Sequence, residues 1–179
     1  MSPGSSLRFI VCALLAAGVS TVSAVGSGSG GSAAGVPPSN SAARFDVNVE
    51  FKKGQEALLA KKCDQASRAF GRVLQVIPRD ANSNLLAGMA KAGLGKPKDA
   101  RRHYEKAVKY DDNLIIAHQE LAIVLVQLGK TDDATEILTD LRTRAEKCAD
   151  ACAQAADLKA AIMAVEAAMQ SPAASTLPV

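Results

Sequence analysis

The amino-acid sequence carries a repeat with a period of 34 residues, and this repeat limits the possible folds more than any other feature. One column of the repeat holds small residues: Ala66, Ala100 and Ala134. A large apolar residue follows each of them four positions later: Phe70, Tyr104 and Leu138. A second column of small residues precedes them at a constant offset: Gly54, Gly88 and Ala122. Three columns in one register predict a stack of similar helix pairs, with small residues where the helices cross.

The segment from residue 45 to residue 170 has the apolar spacing of α-helices throughout, and no useful stretch of it alternates with the period of a strand. Gly95 and Gly129 predict left-handed helix C-caps, and Pro97 and Thr131 predict the first positions of the helices that follow. Asp64 is interpreted as the cap of the second helix. The predicted helices cover about residues 46–60, 64–76, 81–94, 98–110, 114–128 and 132–147, with the boundary uncertainty usual for such assignments.

At these residues the chain resembles the tetratricopeptide repeat (TPR) family, over about 100 of its positions. The resemblance implies an all-α fold, a right-handed α-solenoid of three TPR helix pairs plus a C-terminal capping helix over residues 149–170. The three pairs would cover about residues 47–80, 81–114 and 115–148, within a repeat region at 45–147.

The chain departs from the family pattern in three columns. The family's tryptophan is replaced by Glu50, Asn84 and His118, and its tyrosine by Ala57, Lys91 and Leu125. The closing proline is kept only at Pro78, and Asp112 and Glu146 stand in the other two pairs.

Residues 1–24 have the pattern of a secretory signal peptide. Arg8 is the basic n-region, residues 9–19 are apolar, and residues 22–24 form a small-residue cleavage site. A retained membrane anchor is the alternative, but it needs about 20 apolar residues and the run here ends too early. The sequence therefore predicts a periplasmic or secreted protein with no integral membrane segment after cleavage. Residues 25–44 are expected to be a flexible Gly/Ser/Pro linker, and residues 171–179 a disordered tail.

The charges and titratable residues argue against nucleic-acid binding and against catalysis. The 21 basic and 18 acidic residues are nearly balanced, and only 3% of the residues are aromatic, so a basic stacking surface is not expected. The two histidines are interpreted as solvated (His103) and structural (His118). Acidic pairs fall at turns and helix starts, where the helix dipole stabilises them. The sequence therefore predicts a non-enzyme without a cofactor or a metal site.

Three cysteines remain after signal cleavage. Cys148 and Cys152 flank the expected end of the last paired helix, and in an exported protein they predict a structural disulfide with a helix break at residues 149–151. A reduced pair in an unbroken helix and a redox-active pair are the alternatives. Cys63 lies in the first inter-helix turn and is interpreted as either free or intermolecular.

The resemblance also implies a concave groove, formed by the first helices of the pairs, that receives a peptide or a partner helix. The matching positions are mostly large and apolar: Phe51, Gln55, Leu58, Leu85, Leu86, Met89, Ile116, Ile123 and Val126. Some relatives clamp a terminal carboxylate here with Lys, Asn and Arg. This chain has no such clamp, because the clamp positions hold Phe51, Gln55, Leu86, Ile116 and Glu120. The alternative is that residues 45–49 or the capping helix cover the groove.

These features predict a non-catalytic adaptor or scaffold that binds a protein or peptide partner in the cell envelope through an apolar groove. A thiol-dependent envelope assembly or cytochrome-maturation factor that uses Cys148 and Cys152 is the alternative. Weak homo-oligomerisation through the groove or through Cys63 is a further possibility.

Overall fold

The computed structural model describes residues 46–148 and 152–171, and the regular structure in these ranges is entirely helical. Seven helices lie there: α1 (Val47–Leu59), α2 (Cys63–Val76), α3 (Ala81–Gly93), α4 (Pro97–Tyr110), α5 (Ile115–Gln127), α6 (Thr131–Cys148) and α7 (Ala155–Gln170). The first six pack as three pairs and α7 caps the third pair, which confirms the predicted all-α solenoid architecture. The predicted signal peptide, linker, helix break and tail fall largely or wholly outside the described residues.

The turns within the pairs share one hydrogen-bonding pattern. Gly95 and Gly129 have φ of 67° and 72°, so the left-handed C-caps predicted at these glycines are confirmed. Lys61, at the equivalent position of the first pair, adopts the same conformation with φ of 57°. Each turn closes with a backbone bond back to the helix, and Lys62 N–H donates to the Ala57 carbonyl at 2.8 Å in the first. Since α2 begins at Cys63, Asp64 lies within its first turn, and the interpretation of Asp64 as the N-cap is wrong.

The repeat columns form the contacts between paired helices. Ala66, Ala100 and Ala134 are fully buried, as are Phe70 and Tyr104. A Cβ atom on Gly54 would lie 2.6 Å from Cζ of Phe70, and a Cβ atom on Gly88 would lie 2.6 Å from Cδ1 of Tyr104. The third pair has Ala122 and Leu138 in these two columns. Glycine is therefore needed in the first two pairs, where an aromatic ring packs against this position. In the third pair, leucine takes the place of the ring and alanine takes the place of glycine.

Buried polar residues occupy the position of the family's tryptophan: Glu50, Asn84 and His118. The amide of Asn84 donates to the carbonyls of Pro78 and Asp80 at 3.2 and 2.8 Å. Glu50 accepts a hydrogen bond from Nε of Arg72 at 2.7 Å. These side chains hold the first helix of each pair in place by hydrogen bonds, whereas the family's tryptophan would do so by apolar packing.

The capping helix α7 packs against both α5 and α6. Its buried residues Leu158, Ala161 and Val165 join the larger core cluster, and Arg142 of α6 forms an ion pair with Glu166 at 2.6 Å. Successive first helices α1, α3 and α5 touch one another only slightly, whereas α7 packs extensively on α5. As a result α5 is covered on most sides, and all residues from 121 to 126 are buried.

Candidate functional site

The groove side of α1 and α3 presents a row of half-buried apolar side chains: Phe51, Leu58, Leu86 and Met89. Phe51, Leu58 and Leu86 pack against the smaller core cluster, and Met89 packs against the larger one. The ring of Phe51 meets Phe70 edge to face, with ring centroids 5.7 Å apart. These side chains are held in place by the core while part of their apolar surface stays in solvent.

Helix α5 contributes less to the groove than the sequence predicts. Ile116 is 43% exposed, but Ile123 and Val126 are only 8% and 3% exposed. Both belong to the cluster that contains the buried residues of α7, so this part of the groove is covered by the capping helix. Leu85 of α3 is also buried in this cluster. Leu85, Ile123 and Val126, which the sequence assigns to the groove, are therefore buried in the structure. The part of the predicted groove that stays open consists of Phe51, Gln55, Leu58, Leu86, Met89 and Ile116.

A carboxylate lies beside this apolar surface. Glu120 follows Ile116 by one helical turn on α5 and is partly buried. It accepts a hydrogen bond from the Gln119 amide at 3.2 Å. Burial raises the pKa of the Glu120 carboxyl, because the charged form loses solvation. Sequence reasoning noted Glu120 only as a missing clamp residue, since burial of a carboxylate has no signal in spacing or composition.

The side chain of Tyr104 is coupled electrostatically to this carboxylate. Burial, and then the negative charge of Glu120, raise the pKa of the Tyr104 hydroxyl above its ordinary value. The hydroxyl is buried and has no hydrogen-bond partner among the described residues. Glu120 therefore lies beside the apolar groove, and the buried Tyr104 hydroxyl lies within reach of its charge.

The histidines have structural surroundings. His118 is buried and its Nε2 lies 3.0 Å from the carbonyl oxygen of Asp112, in agreement with its structural interpretation. Arg144 donates to both carboxylate oxygens of Asp112 at 2.9 Å, which holds the pKa of that carboxyl below its ordinary value. The Nδ1 atom of His103 is buried without a partner among the described residues, and burial lowers the pKa of this imidazole. His103 is half-buried, so its interpretation as a solvated side chain is wrong.

The three cysteines of the described residues, Cys63, Cys148 and Cys152, are oxidised. Cys148 and Cys152 form a disulfide, with their Cα atoms 5.4 Å apart, between the end of α6 and the start of α7. Cys63 is also held in a disulfide, so the interpretation of Cys63 as a free thiol is wrong. A cleft of about 340 Å³ lies beside the Cys148–Cys152 bond and includes Arg144 and Lys147 in its lining.

Within residues 46–148 and 152–171, no group of three or more His, Cys, Asp or Glu side chains is placed to hold a metal ion.

A second cleft, of about 440 Å³, lies between α1 and α2 and is lined by charged and small residues that include Lys53, Lys62, Arg68 and Arg72. No helix of the described part of the chain has the length and apolar character needed to cross a membrane.

Comparisons with known proteins agree with the observed architecture. Among solved structures, the TPR2B domain of yeast Sti1, in a complex with pHsp70, is similar with a TM-score of 0.57 at 19% sequence identity, covering 68% of this chain and 96% of that chain. The MamA R50E mutant is similar with a TM-score of 0.51 at 23% identity, covering 54% of this chain and 71% of that chain. At these identities the likeness shows the fold alone. Curated protein sequences gave no match.

A family model described as the protein kinase G tetratricopeptide repeat matches residues 32–174. The matched range includes every helix of the described structure. TPR domains are typically non-catalytic scaffolds that bind protein or peptide partners. The chain belongs to the protein kinase G tetratricopeptide repeat family.

Proposed function

We propose that this protein is a non-catalytic TPR adaptor that binds a segment of a protein partner in the open groove. The observation that carries this proposal is the row of apolar side chains that the protein's own helices leave uncovered. Phe51, Leu58, Leu86 and Met89 remain half-buried and Ile116 is exposed, although α7 covers the rest of the same face. A fixed row of apolar side chains in a concave surface is the usual requirement for binding an apolar peptide or an amphipathic helix.

The experiment that tests the groove is a pull-down from envelope extracts with the full chain as bait. In the variant Leu86→Gln/Met89→Gln the groove becomes polar, and glutamine preserves helix propensity. We expect this variant to lose the captured partner while its circular dichroism stays unchanged. The matched control is Met163→Gln, because Met163 is 69% exposed on α7, outside the groove. Equal capture by the groove variant and the control would show that the partner binds elsewhere.

We also propose that the adaptor works in the cell envelope, as a periplasmic or secreted protein. The support for this is the signal-peptide pattern of residues 1–24. Fractionation of cells that express the tagged full chain, followed by N-terminal sequencing, tests it. We expect a periplasmic or extracellular product that begins at Val25. An intact N-terminus in the cytoplasmic fraction would contradict export.

A further inference from the structure

We propose that Glu120 determines the specificity of the open groove, and that the groove takes an apolar partner segment that carries a lysine or arginine side chain. This inference rests on the proposed function, because it names the chemistry of the segment that the same groove would bind.

The position of Glu120 is the first step of the argument. It lies one turn after Ile116 on α5, and it occupies the same repeat position as Leu86 on α3. Both of these residues belong to the open groove. A segment that covers Leu86 and Ile116 therefore passes beside the carboxylate of Glu120.

The second step is the absence of a cation for this carboxylate. Among the ion pairs of the described residues, none includes Glu120. Its hydrogen-bond donor is the neutral amide of Gln119. Glu50, a second buried carboxylate, is in contrast paired with both Lys53 and Arg72. A partly desolvated carboxylate without a cation has an unfavourable free energy that a cation from a partner relieves.

The third step concerns Tyr104, on which the charge of Glu120 acts. The side chain of Tyr104 is 1% exposed, and its hydroxyl has no hydrogen-bond partner in the described part of the chain. An acidic segment is excluded at this position, since a second carboxylate next to Glu120 is repelled.

The test is a selection from a synthetic peptide library with the full chain. Each probe is a twelve-residue apolar peptide in which one central position is Lys, Arg, Gln, Glu or norleucine. We expect the wild type to retain the Lys and Arg peptides about tenfold better than the norleucine peptides, as one well-placed charge pair allows. Glu120→Gln should retain apolar peptides but lose this ratio, and Glu120→Lys should favour Glu instead. The matched control is Glu136→Gln, which removes an exposed carboxylate on α6 and should keep the wild-type ratio.

The outcomes separate the two proposals. If the wild type retains peptides better than Leu86→Gln/Met89→Gln but shows no preference for Lys or Arg, the role of Glu120 is wrong and the groove function stands. If the wild type and the groove variant retain the same peptides, or neither retains any, both proposals are wrong. A second readout is the carboxyl ¹³C titration of Glu120. Its pKa should fall when a Lys peptide binds and stay unchanged with the norleucine peptide.

Discussion

The Nε2 atom of His118 lies 3.0 Å from the carbonyl oxygen of Asp112, six residues earlier in the chain. One repeat before, the amide of Asn84 donates to the carbonyl of Pro78 across the same separation, at 3.2 Å. His118 replaces the family's tryptophan and Asp112 replaces its closing proline, so two departures from the family pattern contact each other. In both repeats, a side chain of the first helix is thus bonded to the turn that precedes that helix.

Loss of the hydrogen bonds of the Asn84 side chain should destabilise the protein. Asn84→Ala removes both hydrogen bonds of a side chain that is 1% exposed, and the carbonyls of Pro78 and Asp80 lose this donor. We expect the free energy of unfolding to fall by about 1–3 kcal/mol, measured by urea denaturation. Asn82→Ala is the matched control, because Asn82 lies exposed in the same helix turn. An equal effect of both substitutions would contradict a specific role of the Asn84 contacts.

The contact between Gly88 and Tyr104 predicts that a second substitution restores stability lost by the first. Gly88→Ala places a Cβ atom 2.6 Å from Cδ1 of Tyr104, so the ring must shift, and we expect a loss of about 1–3 kcal/mol in the free energy of unfolding. The double variant Gly88→Ala/Tyr104→Leu reproduces the Ala122–Leu138 combination of the third pair and should recover part of this loss.

The control for this prediction is a glycine substitution that should raise the free energy of unfolding. Gly71 lies in α2, and a Cβ atom there meets no other atom within 4 Å. Gly71→Ala should therefore raise the free energy of unfolding by up to about 1 kcal/mol, through helix propensity alone. A loss of stability at both glycines would indicate that backbone conformation, not the aromatic ring, requires glycine at residue 88.

The turn of the first pair contains a residue that is strained relative to its equivalents. Lys61 has φ of 57°, where the other two pairs have glycine. A non-glycine residue in this region costs roughly 1–2 kcal/mol, partly offset by the greater entropy that glycine has in the unfolded chain. We expect Lys61→Gly to raise the midpoint of thermal unfolding. Lys62→Gly, at a residue with φ of −91°, should lower it.

The repeat columns predict the six paired helices well because each column reports a contact that recurs in every pair. The predicted bounds differ from the observed ones by at most one residue at each end. The position of α7 could not be predicted in the same way. Leu158, Ala161 and Val165 mark the apolar face of α7, but their spacing does not say whether this face packs on α6 alone or also on α5. Ile123 has the same repeat position as the half-buried Met89, so only the tertiary structure shows that Ile123 is covered.

The Cys148–Cys152 disulfide should hold α7 in place on the third pair. In the chain-entropy description, closing so short a loop stabilises the folded state by roughly 2 kcal/mol. The variant Cys148→Ser/Cys152→Ser should unfold at lower urea concentration, and hydrogen exchange should increase in α7 and in the part of α5 that α7 covers.

The same bond distinguishes the adaptor from a thiol-exchange factor. Cys152 is exposed, so a small reductant can reach it. We expect the partner capture described above to be the same for the serine variant and the wild type, within the effect of altered stability. Loss of function with unchanged helix docking would favour thiol chemistry instead.

Glu120 should lower the stability of the free protein, because a binding residue without its partner has an unfavourable environment. Burial raises the pKa of this carboxyl above the ordinary 4.5. The contribution of Glu120 to folding is therefore most favourable below pH 4.5 and is lost as the pH rises through the folded-state pKa. Glu120→Gln should increase the free energy of unfolding at pH 7, and this gain should disappear as the pH is lowered through the titration of Glu120. Urea denaturation of both proteins over this pH range is the measurement. A pH-independent difference would show that the effect comes from packing and not from the charge.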